Sequence, residues 1–275
     1  MAQPFTIPGS PPNTEPCGGP LGRDITLGII GAVSQLWLTC VNTVNIKHHN
    51  RFLEAVTLRP AGQGLITVAN HASTLDDPAL ISAMLPLSFL WSESQHEKNR
   101  WTMCAREICF KNAFLDCFFR SGKTLPVDRG AGTDQPSLTT ARELASNGSW
   151  IHVFPEGRVS QNGEMRNFKW GIGKMLCEAA HTETPPMVVP FYHRGMEDIK
   201  QIGSAQLGVG KTISVVCGEP IPMDDLYLKC RKCRNDQQRQ QLWKDITDRV
   251  KGHVQNLKGE LDLQPASATS LPSDA

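Results

Sequence analysis

Leu65-Ile66-Thr67-Val68-Ala69-Asn70-His71-Ala72-Ser73-Thr74-Leu75-Asp76-Asp77-Pro78 is the stretch on which the fold turns. Its first five residues form a short apolar and β-branched run, the composition of a strand covered on both faces. Asp77-Pro78 has the form of a helix start, with Asp77 as the cap and proline in the first turn. A strand that passes through a polar loop into a helix is the unit of an α/β sheet. Strands are predicted near residues 65–69, 124–127, 150–154, 187–191 and 212–217, with helical stretches between them, so the fold class is α/β with helices on the faces of a sheet. Strand order is not readable from the sequence, and no internal repeat is present.

The loop between strand and helix carries His71 and, five positions on, Asp76. An imidazole that takes a proton from an alcohol works best with an acceptor on its other ring nitrogen, because that bond fixes the tautomer and stabilises the imidazolium as it forms. His71 is therefore a candidate general base and Asp76 its orienting carboxylate. A loop hydrogen bond of no chemical consequence would have the same spacing, so other blocks must decide.

Trp150-Ile151-His152-Val153-Phe154-Pro155-Glu156-Gly157-Arg158 reads as an apolar strand that breaks at Pro155 into a polar turn. Arg158 has the planar donors to grip two oxygens of a phosphate, and Gly157 lets the backbone come close. Glu156 is expected to steady that arginine or to bond a substrate hydroxyl. Arg129, just past the extended run Thr124-Leu125-Pro126-Val127, is a second candidate phosphate contact. Pro185-Pro186-Met187-Val188-Val189-Pro190-Phe191-Tyr192-His193-Arg194-Gly195-Met196 reads as a further buried strand ended by polar residues, with structural prolines and aromatics.

Taken in order, these four blocks resemble the glycerophospholipid acyltransferase superfamily: His71 to Asp76, then Arg129, then Phe154-Pro155-Glu156-Gly157-Arg158, then Val188-Val189-Pro190. Asn70-His71 with Asp76-Asp77-Pro78, Phe168-Lys169-Trp170-Gly171-Ile172-Gly173 and Pro190 to Met196 make the chain most similar to the mitochondrial phospholipid–lysophospholipid transacylases within it, over about residues 25 to 225. The resemblance implies a mixed central sheet flanked by helices. It also implies O-acyl transfer without CoA, from a phospholipid donor to monolysocardiolipin, remodelling cardiolipin. His71 would then deprotonate the acceptor hydroxyl, Asp76 would hold the imidazole, and Arg129, Glu156, Gly157 and Arg158 would bind substrate. No cofactor and no metal are implied. The nucleophile belongs to the substrate, in keeping with the lack of a Gly-x-Ser-x-Gly elbow. An acyl-CoA-dependent lysophospholipid acyltransferase would share the same residues, and a non-catalytic lipid-binding protein could keep the fold.

Net charge is only +1 in 275 residues, which gives no electrostatic reason to expect nucleic acid. The partners expected are phospholipids, lysophospholipids and a membrane surface, with self-association left open. Residues 25–46 carry no charge and are long enough to span a bilayer, yet Ser34, Gln35, Thr39, Asn42, Thr43 and Asn45 each need a partner in lipid. That favours an interfacial membrane helix, and with the resemblance it implies a peripheral or monotopic protein of a mitochondrial membrane facing the intermembrane space. The apolar stretch from Pro78 to Trp91 is either core or part of a lipid-facing entrance. The expected organisation is a flexible tail at 1–24, the membrane helix at 25–46, the acyltransferase domain at 47–258 and a disordered tail at 259–275. The first residues do not form an arginine-rich presequence, so targeting would come from internal sequence.

Gly122-Lys123-Thr124 and Gly210-Lys211-Thr212 resemble the end of a P-loop but lack its first glycine, with Cys117 and Ala205 in that place. Cys230 and Cys233 form a lone Cys-x-x-Cys without a second pair at zinc spacing. The other seven cysteines, set mostly among apolar residues, are expected to be reduced core thiols.

Overall fold

The structure, a computed structural model, describes residues 16–91 and 98–263, so most of the two expected tails lies outside the described residues. Among the described residues there are seven strands: β1 (Thr43–Lys47), β2 (Leu65–Val68), β3 (Thr102–Ala105), β4 (Thr124–Val127), β5 (Trp150–Val153), β6 (Met187–Arg194) and β7 (Thr212–Cys217). Five of them form one sheet in the order β1-β7-β6-β2-β5. Only the β6–β7 pairing is antiparallel. The mixed sheet expected from the resemblance is thus present. β3 and β4 pair in parallel beside it, joined to β5 where the Trp101 N–H donates to the Trp150 carbonyl and the His152 N–H to that of Trp101.

Helices cover both faces. Ile66 and Val68 of β2 point into a core built with Ile172, Leu176, Leu242, Ile246, Val250 and Val254. Leu65, one position away on the same strand, points into the opposite core with Phe52, Leu80, Phe191 and Val215. Two-sided burial is why β2 and β5 read as continuous apolar runs instead of alternating ones. The C-terminal helix Asp236–Asp262 buries Leu242, Ile246, Val250 and Val254 on one face, which lies along the helix Gly171–Ala179.

The N-terminal helix differs from its expected bounds. It runs from Gly19 to Val41, called α1 here, and the chain then becomes β1. Residues 43–47 alternate in exposure, with Val44 and Ile46 turned inward, and pair in parallel with β7. The Asn42 side chain accepts from the Lys211 N–H, and the Thr43 N–H donates to the Lys211 carbonyl, so the helix is stopped by tertiary pairing. Gln35, read as a polar burden in lipid, donates to the Leu85 carbonyl. α1 is thereby packed on the domain along one side, while Leu21, Ile25, Ile29, Val33 and Leu36 are exposed along the other. It is also long and apolar enough to cross a membrane by length and composition alone. The stretch after Pro78 is core: Ala79, Leu80, Ile81, Met84, Leu85, Phe89 and Leu90 are all buried.

The cysteine expectation is corrected. Six cysteines are joined, as Cys17–Cys117, Cys104–Cys109 and Cys177–Cys230, and Cys230 therefore pairs outside its Cys-x-x-Cys. Sequence spacing gave no sign of these pairs because two of the three bridge distant segments. Cys40, Cys217 and Cys233 are free.

Gly173 allows the two covering helices to touch, since a Cβ there would lie 1.9 Å from the Trp243 carbonyl oxygen. Gly173→Ala is expected to cost about 2 kcal/mol or more of unfolding free energy in urea titrations. Gly252→Ala in the neighbouring helix, where no atom lies within 4 Å of the added carbon, should be neutral or stabilising by up to about 1 kcal/mol.

Candidate functional site

The strand register brings the sequence blocks together. Val68 of β2 lies opposite Val153 of β5 on one side and Pro190 of β6 on the other. The residues just beyond, Asn70-His71, Phe154 to Glu156 and Tyr192-His193, therefore meet at one end of the sheet. In open α/β sheets the carboxyl ends of parallel strands are where ligand sites form, because loops diverge there and leave a crevice. A shallow cleft lies at this place, lined by residues that include His71, Glu156, Ser160, Met165, Tyr192 and His193.

His71 Nδ1 is 2.9 Å from Asp76 Oδ2. The same oxygen accepts from the Ala72 and Ser73 N–H groups at 2.7 and 2.9 Å, and the carboxylate is buried. Two backbone N–H groups on Oδ2 mark that oxygen as an acceptor, so the proton of a neutral His71 facing it sits on Nδ1 and Nε2 is left as an acceptor. The imidazole is stacked on the Phe154 ring, centroids 4.1 Å apart. Its side chain is 20% exposed, enough for a substrate to reach it.

Asp77 does not cap the helix. It forms a two-pronged pair with Arg100, Oδ1 to Nε and Oδ2 to Nη2, both at 2.8 Å. The turn that follows, Asp76–Ile81, is a single π-helical turn with Leu75 at its N-cap and no side-chain cap. Proline fits this turn as expected, but the carboxylate before it is drawn off by a cation far along the chain.

Glu156 does not fill the first of its two expected roles. It does not steady Arg158. Its Oε1 accepts from the His71 N–H at 2.9 Å and its Oε2 from the Arg166 N–H at 2.8 Å, so one buried carboxylate ties the histidine loop to the loop after β5. Burial raises its pKa above the ordinary range, opposed by these two N–H groups. Gly157 has φ of 68°, a conformation that glycine takes without strain. Arg158 is exposed at that turn. Arg129 is not brought to the cleft: it sits past β4, paired with Glu107 at 3.1 Å.

Asn70 and His193 were missed as site residues. The Asn70 side chain donates to the His193 carbonyl at 2.9 Å and accepts from the His193 N–H at 3.0 Å, a side chain replacing a strand partner. His193 Nε2 lies 3.1 Å from the Asn70 carbonyl and 3.6 Å from Asp76 Oδ2. A carbonyl can only accept, so Nε2 carries the proton. The signal was present in the polar His193-Arg194 at the end of an apolar strand, and Asn70 adjoins His71.

The acyltransferase family pattern matches residues 45–194, more than half the chain, and spans every one of these contacts. The chain belongs to the acyltransferase family. Among relatives, this acyltransferase is 33% identical over 234 residues to tafazzin of Drosophila melanogaster, covering 85% of the chain but only 60% of the fly protein. It is 32% identical over 243 residues to the Dictyostelium discoideum protein named taffazin, covering 83% and 84% of the two chains. N-acylphosphatidylethanolamine synthase of Arabidopsis thaliana is 33% identical over 213 residues, 75% of this chain and 72% of the plant protein. The crystal structure of the 1-acyl-sn-glycerophosphate acyltransferase of Thermotoga maritima has the same fold, with a TM-score of 0.56 at 18% identity, covering 90% of this chain and 84% of that one. The tafazzin relatives place the acyltransferase in the glycerophospholipid acyltransferase superfamily.

A third histidine stands behind the site. His152 is fully buried, its Nδ1 2.8 Å from Thr67 Oγ1, and burial together with nearby Arg100 pushes its pKa well below the ordinary 6.5. An unfolded chain takes up a proton there near pH 6.5 while the folded chain does not. Stability from this residue is therefore complete above that value and declines as pH falls below it. Denaturant titrations should show a loss approaching about 1.4 kcal/mol per pH unit below it, and His152→Phe, which keeps the stacking on Phe191, should flatten that slope. An unchanged slope in the variant would assign the pH dependence elsewhere.

Proposed function

We propose that this acyltransferase is a CoA-independent phospholipid–lysophospholipid transacylase that remodels the acyl chains of cardiolipin, with monolysocardiolipin as acceptor. The observation that carries the reading is the Asp76 carboxylate, held by two backbone N–H groups and bonded to His71 Nδ1. In the proposed reaction His71 Nε2 takes the proton of the acceptor hydroxyl as its oxygen attacks the donor's ester carbonyl. The tetrahedral adduct then collapses, the ester bond of the donor breaks, and the departing oxygen takes the proton back from the imidazolium. The result is an exchange of one ester for another with no net proton change, which suits a base that is oriented but partly open to solvent.

Asp76 would stabilise the imidazolium, and Glu156, Asn70 and His193 would hold the loop in place. Arg158 supplies a phosphate contact at the turn where Gly157 lets the backbone approach. Arg129, tied to Glu107 away from the cleft, gives this part of the reading no support. The exposed apolar side of α1 supports attachment to a membrane from one face. We assign a mitochondrial membrane and an intermembrane-space orientation on the family resemblance. The three cysteine pairs fit a compartment where disulfides persist.

The likeness to a plant synthase named for an N-acylated product raises a second reading, transfer to the amine of phosphatidylethanolamine. One assay separates them: labelled acyl transfer from phosphatidylcholine in vesicles, with purified protein, no CoA, and monolysocardiolipin or phosphatidylethanolamine as acceptor. Ester product on monolysocardiolipin, absent in His71→Ala and reduced about a thousandfold or more in Asp76→Asn, is the expected result. An alkali-stable amide product would move the acceptor to nitrogen. Activity only after acyl-CoA is added would overturn CoA independence.

A further inference from the structure

Most of the polar side chains that line the cleft are already bonded within the protein. Asn70 Nδ2 donates to the His193 carbonyl, His193 Nε2 donates to that of Asn70, and the Ser160 hydroxyl has Asn162 Oδ1 and the Glu164 carbonyl as acceptors. Glu156 and Glu197 accept, the first from the His71 and Arg166 N–H groups and the second from that of Gly195. Tyr192 is different. It is buried, and among the described residues its hydroxyl makes no hydrogen bond, yet that oxygen is not one of the buried side-chain atoms left without a partner. A buried ring whose hydroxyl is neither bonded nor sealed has to open on a space, and the cleft is the space that Tyr192 lines.

The sheet explains how it arrives there. Phe191 packs in one core and Tyr192, next along β6, in the other. Ala72 packs in the core of Phe191, and so does Phe154, the ring on which His71 is stacked. The cleft at the strand ends therefore receives His71 from one face of the sheet and Tyr192 from the opposite face. Burial, and after it the charges of Asp262 and Glu197, push the Tyr192 hydroxyl up to about 12. It remains a donor throughout the range in which an imidazole base works.

The proposed reaction calls for such a donor. As the acceptor oxygen bonds to the ester carbon, the carbonyl oxygen becomes an oxyanion; when the adduct collapses, the donor's C–O bond breaks and the carbonyl re-forms. The described residues that line the cleft include no lysine or arginine, so this charge has to be met by a neutral dipole. A donor already in place before the charge develops lowers the barrier because nothing has to reorganise.

We propose that the Tyr192 hydroxyl donates a hydrogen bond to the oxyanion of the tetrahedral adduct, which makes it a catalytic residue beside His71. No proton is transferred through this bond, so the proton count of the exchange is unchanged. The assignment rests on the ester exchange of the proposed function but not on the identity of its two lipids.

Tyr192→Phe removes the oxygen and keeps the ring in its core. The test uses full-length protein in vesicles, with phosphatidylcholine as donor and monolysocardiolipin or phosphatidylethanolamine as acceptor. In the variant kcat should fall about a hundredfold, the lower end for loss of one oxyanion donor, with KM for the acceptor and the thermal unfolding midpoint both kept. An unchanged kcat overturns the proposal. So does a loss of activity matched by a lower unfolding midpoint, which would make the hydroxyl structural. A second measurement is calorimetric titration with a long-chain alkylphosphonate monoester of lysophosphatidylcholine, whose anionic tetrahedral phosphorus mimics the adduct. Its affinity should fall in Tyr192→Phe by the same factor as kcat, and equal affinity for the two proteins overturns the proposal. Should wild type transfer no acyl group, the ester-exchange reading fails by itself. The phosphonate then decides the site: tighter binding to wild type than to Tyr192→Phe upholds the donor, and equal binding or none overturns it.

Discussion

A carboxylate without exposed surface has to be given donors by the chain around it, and the geometry of this protein's cleft follows from how Asp76 is supplied. Its Oδ2 takes two backbone N–H groups and the imidazole at once, which bends residues 71–76 into a tight loop and holds the His71 ring by its Nδ1. Such a loop is costly to hold unless its own outer edges are satisfied. Glu156 takes the His71 N–H, Asn70 bonds both backbone groups of His193, and the Ser73 hydroxyl donates to the Lys200 carbonyl. The first two braces come from the ends of β5 and β6, and the third from the residue that ends the helix Met196–Ile199. The parallel pairing of β2 with β5 and β6 is what puts those ends within reach.

The same register explains which parts of the molecule could be read from sequence. β2, β5, β6 and β7 are short runs with nearly continuous apolar character, and they are found where the composition places them. β1 was hidden because Thr43 to Ile46 follows directly on a long uncharged helix, and only its pairing with β7 tells the two apart. β3 was hidden because Thr102 to Ala105 is too brief to show a period. Its strand character depends on the neighbouring β4.

For the site, the His71 and Asp76 spacing was legible because both partners lie in one loop, and a local loop leaves its geometry in the sequence. The roles of Glu156, Asp77 and Arg129 were not, because each has a partner remote in the chain: His71 and Arg166 for the first, Arg100 for the second and Glu107 for the third. Charge and proximity in sequence suggested Arg158 for Glu156. Burial decided otherwise, since a carboxylate with almost no exposure is better served by fixed N–H groups than by a mobile surface guanidinium. The cysteine pairs follow the same pattern, in that two of the three join residues separated by 100 and 53 positions.

The clamp between Asn70 and His193 spans 123 positions. During synthesis, α1 and the histidine loop emerge well before β6 exists to brace them, and closing so long a separation is among the later and slower events of folding. The nascent chain thus presents an apolar helix and an unfinished loop at the same time. A partner that shields α1 in that interval, whether lipid or chaperone, would govern the yield of working protein, even though it touches none of the residues that line the cleft.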